Sequence, residues 1–344
     1  MTELETFLAT EVDAGSFPGA VALLGTGDAV LEVAAAGDAV VLPEKIPATP
    51  DTVYDLASLT KPLVTGALVA AALPHLDLSS PPGRYLAEWK ATRFEGVTIE
   101  TLLTHTSGLP AWLPLYAWGE GPVAYRRTLG RIEPENRPGE RVTYSDLNFL
   151  VLGDVLEAHF SAPLDAAFAD LVRGPAGGGA AFLPGREGTA ATESDDATER
   201  GMAGEMGVSY PRFRTGVVWG EVHDGNAFRR GGVAGNAGLF GTARDVWELS
   251  RPWLDPSRRR LTFDRTPALL EARGLAWQGS RGAGSAVPAM PASAFGHTGF
   301  TGTSVWIDPG RGRIVVLLTN RIHPGARGTD FNAVRRRFHE AFWI

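Results

Sequence analysis

The chain has 344 residues, a formal net charge of −7 and no cysteine. The lack of cysteine excludes disulfides, zinc ribbons and thiolate nucleophiles, and the acidic balance argues against a nucleic-acid partner, which needs a basic face. Hydrophobic residues make up 44% of the chain, which is enough for a large buried core. At about 150 residues per domain, the length predicts two domains or one large one.

The amino-terminal segment predicts neither export nor a membrane partner. It reads MTELETFLATEVDAG, with no basic leader and no long apolar stretch. The longest apolar run, residues 63–73, is shorter than the about 18 residues that a membrane span needs. We therefore expect a cytoplasmic protein, unless a leader has been removed from the chain. The oligomeric state is left open.

The first predicted elements are a hairpin and a buried helix. Two apolar runs within residues 19–35 flank Thr26-Gly27-Asp28, a typical hairpin signal. Residues 58–73 are apolar nearly all round, so we expect them to form a buried helix. Residues 174–230 are rich in glycine, alanine, threonine and acids, which predicts long surface loops. Shorter helices are predicted at residues 98–106, 147–160, 163–173 (ending at Gly174) and 243–249.

Two strands and a helix complete the chain. Residues 303–307 and 313–319 are apolar strands joined by the turn Asp308-Pro309-Gly310-Arg311-Gly312, and an amphipathic helix follows at 330–342. Both ends of the chain therefore carry strands with helices, whereas the middle is helix and loop. This order predicts an α/β layer made from both termini, with a mostly helical insert between them.

One serine–lysine motif could carry chemistry. Only Lys45, Lys61 and Lys90 are lysine among 32 basic residues, and lysine, unlike arginine, can lose its proton when buried. In Ser58-Leu59-Thr60-Lys61, the i, i+3 spacing places both side chains on one helix face, and apolar neighbours would lower the pKa of Lys61. A serine needs such a base to attack a carbonyl. The alternative is a capping serine and a surface lysine.

Two further motifs have a chemical and a purely structural interpretation. Tyr144-Ser145-Asp146 precedes a predicted helix, so it either caps that helix or supplies a phenol for proton transfer. Residues 296–302, Gly-His-Thr-Gly-Phe-Thr-Gly, lead into a strand, so they either form a bulge or offer free N–H groups to an oxyanion. No nucleotide-binding or metal-binding spacing occurs, and we expect no cofactor and no metal.

Together these three motifs carry a family resemblance. Ser-x-x-Lys, then Tyr-x-Asp about 85 residues later, then His-Thr-Gly about 150 residues after that, is the order found in penicillin-recognising serine hydrolases. The chain resembles class C β-lactamases, D-alanyl-D-alanine peptidases and β-lactamase-like (family VIII) esterases over residues 17–320. Further family-like segments are Phe17–Val21, Leu102–Pro110, Arg137–Glu140, Glu221–Asp224 and Gly232–Leu239.

The resemblance implies a fold and an activity. The fold would be the β-lactamase-like α/β (α+β) fold, an antiparallel sheet flanked by helices. Residues 1–73 and 231–344 would form the sheet domain, residues 74–230 a mainly helical domain, and the active site would lie between them. The activity would be that of a serine hydrolase acting through an acyl-enzyme on an ester or amide, of the β-lactamase-like esterase or D-aminoacyl peptidase type. Its partner would be a small-molecule acyl ester, amide or β-lactam substrate.

The resemblance also implies roles for individual residues. Ser58 would be the acylated nucleophile, with Lys61 and Tyr144 as the proton-transfer pair. The N–H groups of Ser58 and Phe300 would form the oxyanion hole. The remaining residues that would line the substrate site are Asp146, His297, Thr298 and Gly299.

Two positions depart from the family pattern. His297 replaces the usual lysine, so a fixed positive charge for a substrate carboxylate is missing, because histidine with a pKa of about 6.5 is mostly neutral above pH 7. This substitution favours an esterase or another acyl substrate over a strong β-lactamase. Asp146 replaces the usual asparagine and would keep Lys61 protonated, leaving more of the base role to Tyr144. If Asp146 instead caps its helix, Asn148 could supply the amide.

Other residues are interpreted mainly as structural, and two other functions stay open. We expect hydrogen bonds within loops from His105, Ser107, His223 and Asp224. We expect three aromatic side chains either to form the wall of an acyl pocket or to pack within their loop: Trp112, Tyr116 and Trp118. Instead of an enzyme, the chain could be a peptide-binding or β-lactam-binding protein with little turnover, or a structural assembly partner.

Overall fold

A computed structural model of the chain describes residues 1–90, 96–325 and 330–343. The strands are β1 (Gly19–Thr26), β2 (Val30–Val40), β3 (Ile46–Pro47), β4 (Tyr54–Asp55), β5 (Ala181–Phe182), β6 (Leu239–Gly241), β7 (Gln278–Gly279), β8 (Phe295–Thr298), β9 (Ser304–Asp308) and β10 (Arg313–Thr319). Seven of them form an antiparallel sheet in the order β3-β2-β1-β10-β9-β8-β7, and β4, β6 and β5 form a small second sheet.

The α-helices are α1 (Glu3–Asp13), α2 (Ala67–Ala72), α3 (Ile99–Leu103), α4 (Gly121–Leu129), α5 (Asp146–Phe160), α6 (Leu164–Phe168), α7 (Gly174–Ala176), α8 (Ala197–Glu205), α9 (Gly225–Arg229), α10 (Ala243–Ser250), α11 (Arg259–Thr262) and α12 (Phe331–Phe342). Single 3-10 turns lie at Ala57–Leu59, Pro82–Arg84, Ala87–Trp89, Leu115–Ala117, Arg251–Leu254 and Pro256–Arg258, and π-helical segments at Lys61–Gly66 and Ala169–Arg173. Among the described residues, no helix combines the length and the apolar character that crossing a membrane requires.

Pairing between the two ends of the chain builds the large sheet. β1 pairs with β2 through the predicted hairpin and with β10 on its other side, from Ala20 opposite Thr319 to Thr26 opposite Arg313. The predicted turn between β9 and β10 is stabilised by Asp308, whose carboxylate accepts the N–H groups of Gly310 and Arg311. The predicted antiparallel sheet flanked by helices and built from both termini is therefore confirmed.

The two faces of the sheet are covered by different helices. Strand side chains alternate between the faces, so Ala22, Val315 and Trp306 pack with α1 and α12, whereas the alternate residues Leu23 and Val316 face the larger core. That larger core includes α2, α5 and α10. This core contains side chains from both predicted domains. The division itself stays a prediction: one domain of residues 1–73 and 231–344, and a second of residues 74–230.

Two predictions about the middle of the chain are wrong. Gly174 does not end the helix that begins at Leu164, because its backbone stays right-handed and helical; the chain leaves the helix at Gly177, with φ of +82°. Residues 174–230 are not only surface loops, since they contain β5, α8 and α9. Their high glycine and acid content hid these short elements, whose stability comes from packing rather than from local periodicity.

Candidate active site

A constrained backbone presents Ser58. Ala57, the residue before it, has φ of +48°, a left-handed conformation that costs energy for a residue other than glycine. The buried carboxylate of Asp55 fixes this turn, because its Oδ1 accepts the N–H of Ala57 at 2.8 Å and its Oδ2 accepts the N–H of His223 at 2.8 Å. Ser58 therefore lies in the first helical turn, where backbone N–H groups lack partners within the helix.

The buried helix predicted over residues 58–73 is irregular in the structure. Residues 61–66 are π-helical, and side chains tie them to the segment before β6. Thr65 donates to the carbonyl of Gly235 at 2.7 Å. Gly235 has to be glycine, since a Cβ there would lie 2.2 Å from the carbonyl oxygen of Phe149 in α5. This contact holds the helix, α5 and the segment before β6 together beneath Ser58.

Lys61 lies fully buried at the centre of this arrangement. Its Nζ is 2.8 Å from Ser58 Oγ, 2.6 Å from Asp146 Oδ1 and 3.1 Å from the carbonyl oxygen of Asn236. Burial lowers the pKa of Lys61, but the negative charge of Asp146 outweighs this effect, and the pKa is raised above its ordinary value. The expectation that apolar neighbours lower the pKa of Lys61 is therefore wrong. The raised pKa agrees with the expectation that Asp146 keeps Lys61 protonated.

Asp146 pairs with Lys61 because another residue caps the helix. Ser145 is the N-cap of α5, where its hydroxyl accepts the N–H of Asn148. The carboxylate of Asp146 is thereby free to face Lys61, with 22% of its side chain exposed. Asn148 does not supply the amide to Lys61: its Oδ1 accepts a hydrogen bond from Ser107 at 2.6 Å. His105 also has a structural contact, since its Nδ1 accepts the N–H of Ser145.

Tyr144 covers Lys61 from the opposite direction. The ammonium lies 5.1 Å from the centre of the Tyr144 ring, and that ring packs 4.5 Å from His105 and 5.8 Å from His297. Burial raises the pKa of the Tyr144 phenol more than the nearby charge of Lys61 lowers it, so the phenol is neutral near pH 7. Within the described chain, its hydroxyl has no partner in hydrogen-bond geometry, although Lys61 and Ser58 lie close enough to lower its pKa.

His297 lies in β8 and is only 2% exposed. Its Nδ1 donates to the carbonyl of Thr298 at 2.8 Å, which leaves Nε2 as a buried acceptor without a partner among the described residues. Burial, with the charges of Lys61 and Arg273, lowers the pKa of His297 well below its ordinary value. The ring is therefore neutral, as expected, but the prediction that it titrates near its reference pKa is wrong.

The turn between β8 and β9 places Phe300 beside Ser58. Thr301 donates to the carbonyl of Asp55 at 2.8 Å, and Thr303 donates to that of Leu56 at 3.1 Å. Gly299 permits this close contact, since a Cβ would lie 2.7 Å from the Leu56 oxygen. Along the described chain, the N–H of Phe300 has no hydrogen-bond acceptor, and Ser58 and Phe300 line the same cavity. This N–H is available to a substrate oxygen.

Residues of this site line two cavities. The first, of about 90 Å³, is lined by Ala57, Ser58, Trp112, Asp146, Thr198, Glu199, Met202, His223, Asp224, Asn236, Ala237 and Phe300. The second, of about 180 Å³, is polar and is lined by Tyr144, Glu271, Arg273, Gln278, Gly282, Gly284, Ser285, His297, Thr298 and Asn332. Ser58 opens into the first cavity, whereas Tyr144, His297 and Thr298 line the second.

The first cavity contains residues that the sequence did not single out as functional. Glu199 comes from α8, in the region predicted to be loop, and Asn236 lies before β6. Asp224 was expected to be structural, and it both caps α9 and lines the cavity. Of the three aromatic candidates, Trp112 lines the cavity, whereas Tyr116 is buried with its hydroxyl on Glu199 and Trp118 is 49% exposed. Over the described ranges, no cluster of histidine and acidic side chains could hold a metal ion.

Comparison with known proteins finds related sequences and related structures. A protein of Salmonella agona named "Putative D-alanyl-D-alanine carboxypeptidase" is 30% identical over 319 residues, covering 82% of this chain and 72% of that protein. The structure of EstCE1, described as a hydrolase with promiscuous acyltransferase activity, matches with a TM-score of 0.73 and 21% identity over 97% of this chain and 96% of EstCE1. D-alanine carboxypeptidase AmpC from Burkholderia cenocepacia matches with a TM-score of 0.70 and 18% identity over 99% and 98% of the two chains.

The two structural matches support the fold, and the sequence matches identify the family. The Beta-lactamase family model matches residues 4–337, which is nearly the whole chain. The resemblance inferred from the three motifs is thereby confirmed, and this chain belongs to the Beta-lactamase family.

Proposed function

We propose that this protein is a serine hydrolase that transfers the acyl group of an ester or amide to Ser58 and then to water. The observation that carries the proposal is the 2.8 Å contact between Ser58 Oγ and Lys61 Nζ at the wall of a cavity. A serine hydroxyl is a weak nucleophile until a neighbouring group takes its proton. The carboxypeptidase name of the Salmonella agona relative supports an acyl substrate.

The contacts suggest a proton path for acylation. Lys61 is protonated, so it accepts the Ser58 proton only as it passes one of its own to Asp146, 2.6 Å away. The bond from Ser58 Oγ to the acyl carbon forms, and the bond to the leaving group breaks. The neutral phenol of Tyr144 donates a proton to the departing alcohol or amine and regains one from Lys61, to which Asp146 returns its own. A water molecule then repeats the sequence and releases the acid.

The oxyanion formed in each step needs hydrogen-bond donors. The N–H groups of Ser58 and Phe300 are proposed to supply them, since both residues line the same cavity and the turn carrying Phe300 is tied to Asp55 and Leu56. Thr298 and His297 are proposed to line the leaving-group side, next to Tyr144. His297 brings no positive charge to that side.

Intact-protein mass spectrometry after exposure to a 4-nitrophenyl ester, a D-alanyl peptide and a penicillin tests the proposal. At least one of them should add its acyl mass to the protein, and Ser58→Ala should abolish the addition. Ser209→Ala is the matched control, because Ser209 is an exposed serine. If the adduct survives in Ser58→Ala, or if none of the three substrates forms one, the proposal is wrong.

A second function is favoured by the Lys61–Asp146 ion pair, since a lysine held protonated is a poor base for deacylation. On this alternative, the protein binds a β-lactam or peptide covalently and turns over little. Product release separates the two functions. A single equivalent of 4-nitrophenol followed by no further release indicates binding, whereas continued release indicates an enzyme.

A further inference from the structure

The cavity beside Ser58 is lined by acidic side chains. Three carboxylates, those of Asp146, Glu199 and Asp224, contribute to its wall. No lysine or arginine side chain lies among its lining residues in the described part of the chain, and Lys61 beneath Ser58 is paired with Asp146. Carboxylates in such a wall, when ionised, attract a cationic group and disfavour a further carboxylate.

The other two carboxylates are held in place by neutral donors. Glu199 accepts the N–H of Gly225 at 2.7 Å and the hydroxyl of Tyr116 at 2.8 Å. Asp224 accepts the N–H of Ala227 at 2.7 Å. Among the described residues, these hydrogen-bond donors are neutral groups. The protein therefore orients both carboxylates without pairing them with a lysine or arginine.

Burial and a neighbouring carboxylate disfavour the charged form of each of these two groups. Burial raises the pKa of Glu199 to about 7, with the charge of Asp224 as the next cause. Burial and the charge of Asp146 raise the pKa of Asp224, against smaller opposing effects of the Ala227 N–H, the charge of Lys61 and the Asn236 side chain. A positive group placed beside Glu199 and Asp224 would favour their charged forms, so the cavity is electrostatically suited to a cation.

Asn236 gives a second, independent indication of a ligand. Its side chain is fully buried and lines the same cavity, yet neither Oδ1 nor Nδ2 has a partner in hydrogen-bond geometry among the described residues. Buried amides are almost always hydrogen-bonded, because leaving one unpaired is costly. A ligand with N–H donors would satisfy the oxygen. The described residues offer no metal-binding cluster, so an organic cation fits this wall better than a metal ion.

We propose that the acyl part of the substrate carries a protonated amine near its carbonyl, and that Glu199, Asp224 and Asn236 receive this ammonium. The substrate class is thus aminoacyl esters and amides with a free amino group. The inference rests on the proposed acylation of Ser58 and adds the chemistry that the cavity selects. The volume of about 90 Å³ suits a compact acyl group of this kind.

Matched 4-nitroanilides test the proposal on the whole protein. The probes are the 4-nitroanilides of D-alanine and L-alanine and their N-acetyl derivatives, which lack the positive charge. For at least one stereoisomer, kcat/KM should be about tenfold or more higher with the free amine than with its N-acetyl form, since a hydrogen bond to a charged group contributes at least this factor.

Substitutions that remove only charge assign the preference to its residues. Asp224→Asn keeps a side chain that can cap α9, and Glu199→Gln keeps an acceptor for Gly225. Each should reduce the preference for the free amine about tenfold, seen as a larger loss with the amine substrate than with its N-acetyl form. Glu205→Gln, an exposed acid at the end of α8, is the control and should leave the preference unchanged.

The outcomes separate this inference from the proposed function. Acylation of Ser58 by a neutral 4-nitrophenyl ester, with equal or better use of the N-acetyl anilides, overturns the ammonium site and leaves the serine hydrolase standing. An amine preference that survives in both Asp224→Asn and Glu199→Gln overturns the assignment to these residues. If no substrate acylates Ser58, both proposals fail together.

Discussion

Replacing Asp146 by asparagine tests how the protonation state of Lys61 is set. The two groups are 2.6 Å apart, and Lys61 is fully buried. With an effective dielectric constant of about 20, a pair at this distance interacts by roughly 6 kcal/mol, an upper bound that desolvation reduces. One pKa unit corresponds to about 1.4 kcal/mol, and a neighbouring opposite charge typically shifts a pKa by about 1–3 units. We therefore expect Asp146→Asn to lower the pKa of Lys61 by about 2 units.

The assay is single-turnover acylation of Ser58 by a neutral ester as a function of pH. In the unchanged protein, Lys61 stays protonated over the accessible pH range and passes its proton to Asp146, so Lys61 deprotonation should add no rise to the rate as the pH increases. In Asp146→Asn this relay is lost, so the rate should be low while Lys61 is protonated and should rise with pH as the lysine, its pKa now lower, loses its proton. The variant should also be less stable. At a pH below the lowered pKa, the Lys61 ammonium is buried without its partner, so the free energy of unfolding should fall by about 3–5 kcal/mol.

Asp165→Asn is the matched control. Asp165 is also an aspartate in the first turn of a helix, but it is exposed and its side chain accepts the N–H of the adjacent Ala166. Its replacement should move neither the pH profile nor the midpoint of urea unfolding. If the profile of Asp146→Asn coincides with that of the control, Asp146 does not set the charge of Lys61, and the proton path through Asp146 is refuted.

Two further predictions concern the supports of the site. Asp55→Ala leaves the buried N–H groups of Ala57 and His223 without an acceptor, and it should lower the free energy of unfolding by about 2–4 kcal/mol in urea, whereas the exposed Asp51→Ala should change it little. Equal unfolding midpoints for the two variants would contradict this role. Since burial keeps His297 neutral, His297→Gln should leave the inflections of the kcat/KM profile between about pH 6 and 8 in place; an inflection lost in the variant would show that His297 titrates there.

The parts of the fold that were predictable have strong local signals. β1, β2, β9 and β10 are apolar runs joined by recognisable turns, and their long-range pairing follows from the need to bury both termini in one layer. The short elements within residues 174–230 had no such signal. The two-residue strand β5 exists because it pairs with β6, and α8 is defined by tertiary contacts such as that of Glu199 with Tyr116. Local sequence does not encode partners that lie far along the chain.

The candidate site was predictable where chemistry demands a fixed spacing. Ser58 and Lys61 are three residues apart in one helical turn, so their contact follows from the sequence alone. Their relation to Tyr144, Asp146 and His297 came from the family resemblance, since distances between separate segments are set by the whole fold. The sign of the pKa shift of Lys61 could not be read from apolar neighbours, because it depends on which side chain caps α5, and Ser145 rather than Asp146 does so.

The carboxylates near Ser58 should affect both which substrate is preferred and how fast Ser58 is acylated. Attack by Ser58 creates an oxyanion, and the carboxylates of Glu199 and Asp224 on the same cavity wall oppose any additional negative charge. An ammonium carried by the acyl group would offset this opposition most strongly when the oxyanion is fully formed. Interactions that strengthen in the transition state raise the rate of the chemical step more than they tighten binding of the substrate. The advantage of a free amine should therefore appear in the acylation rate constant rather than in substrate binding.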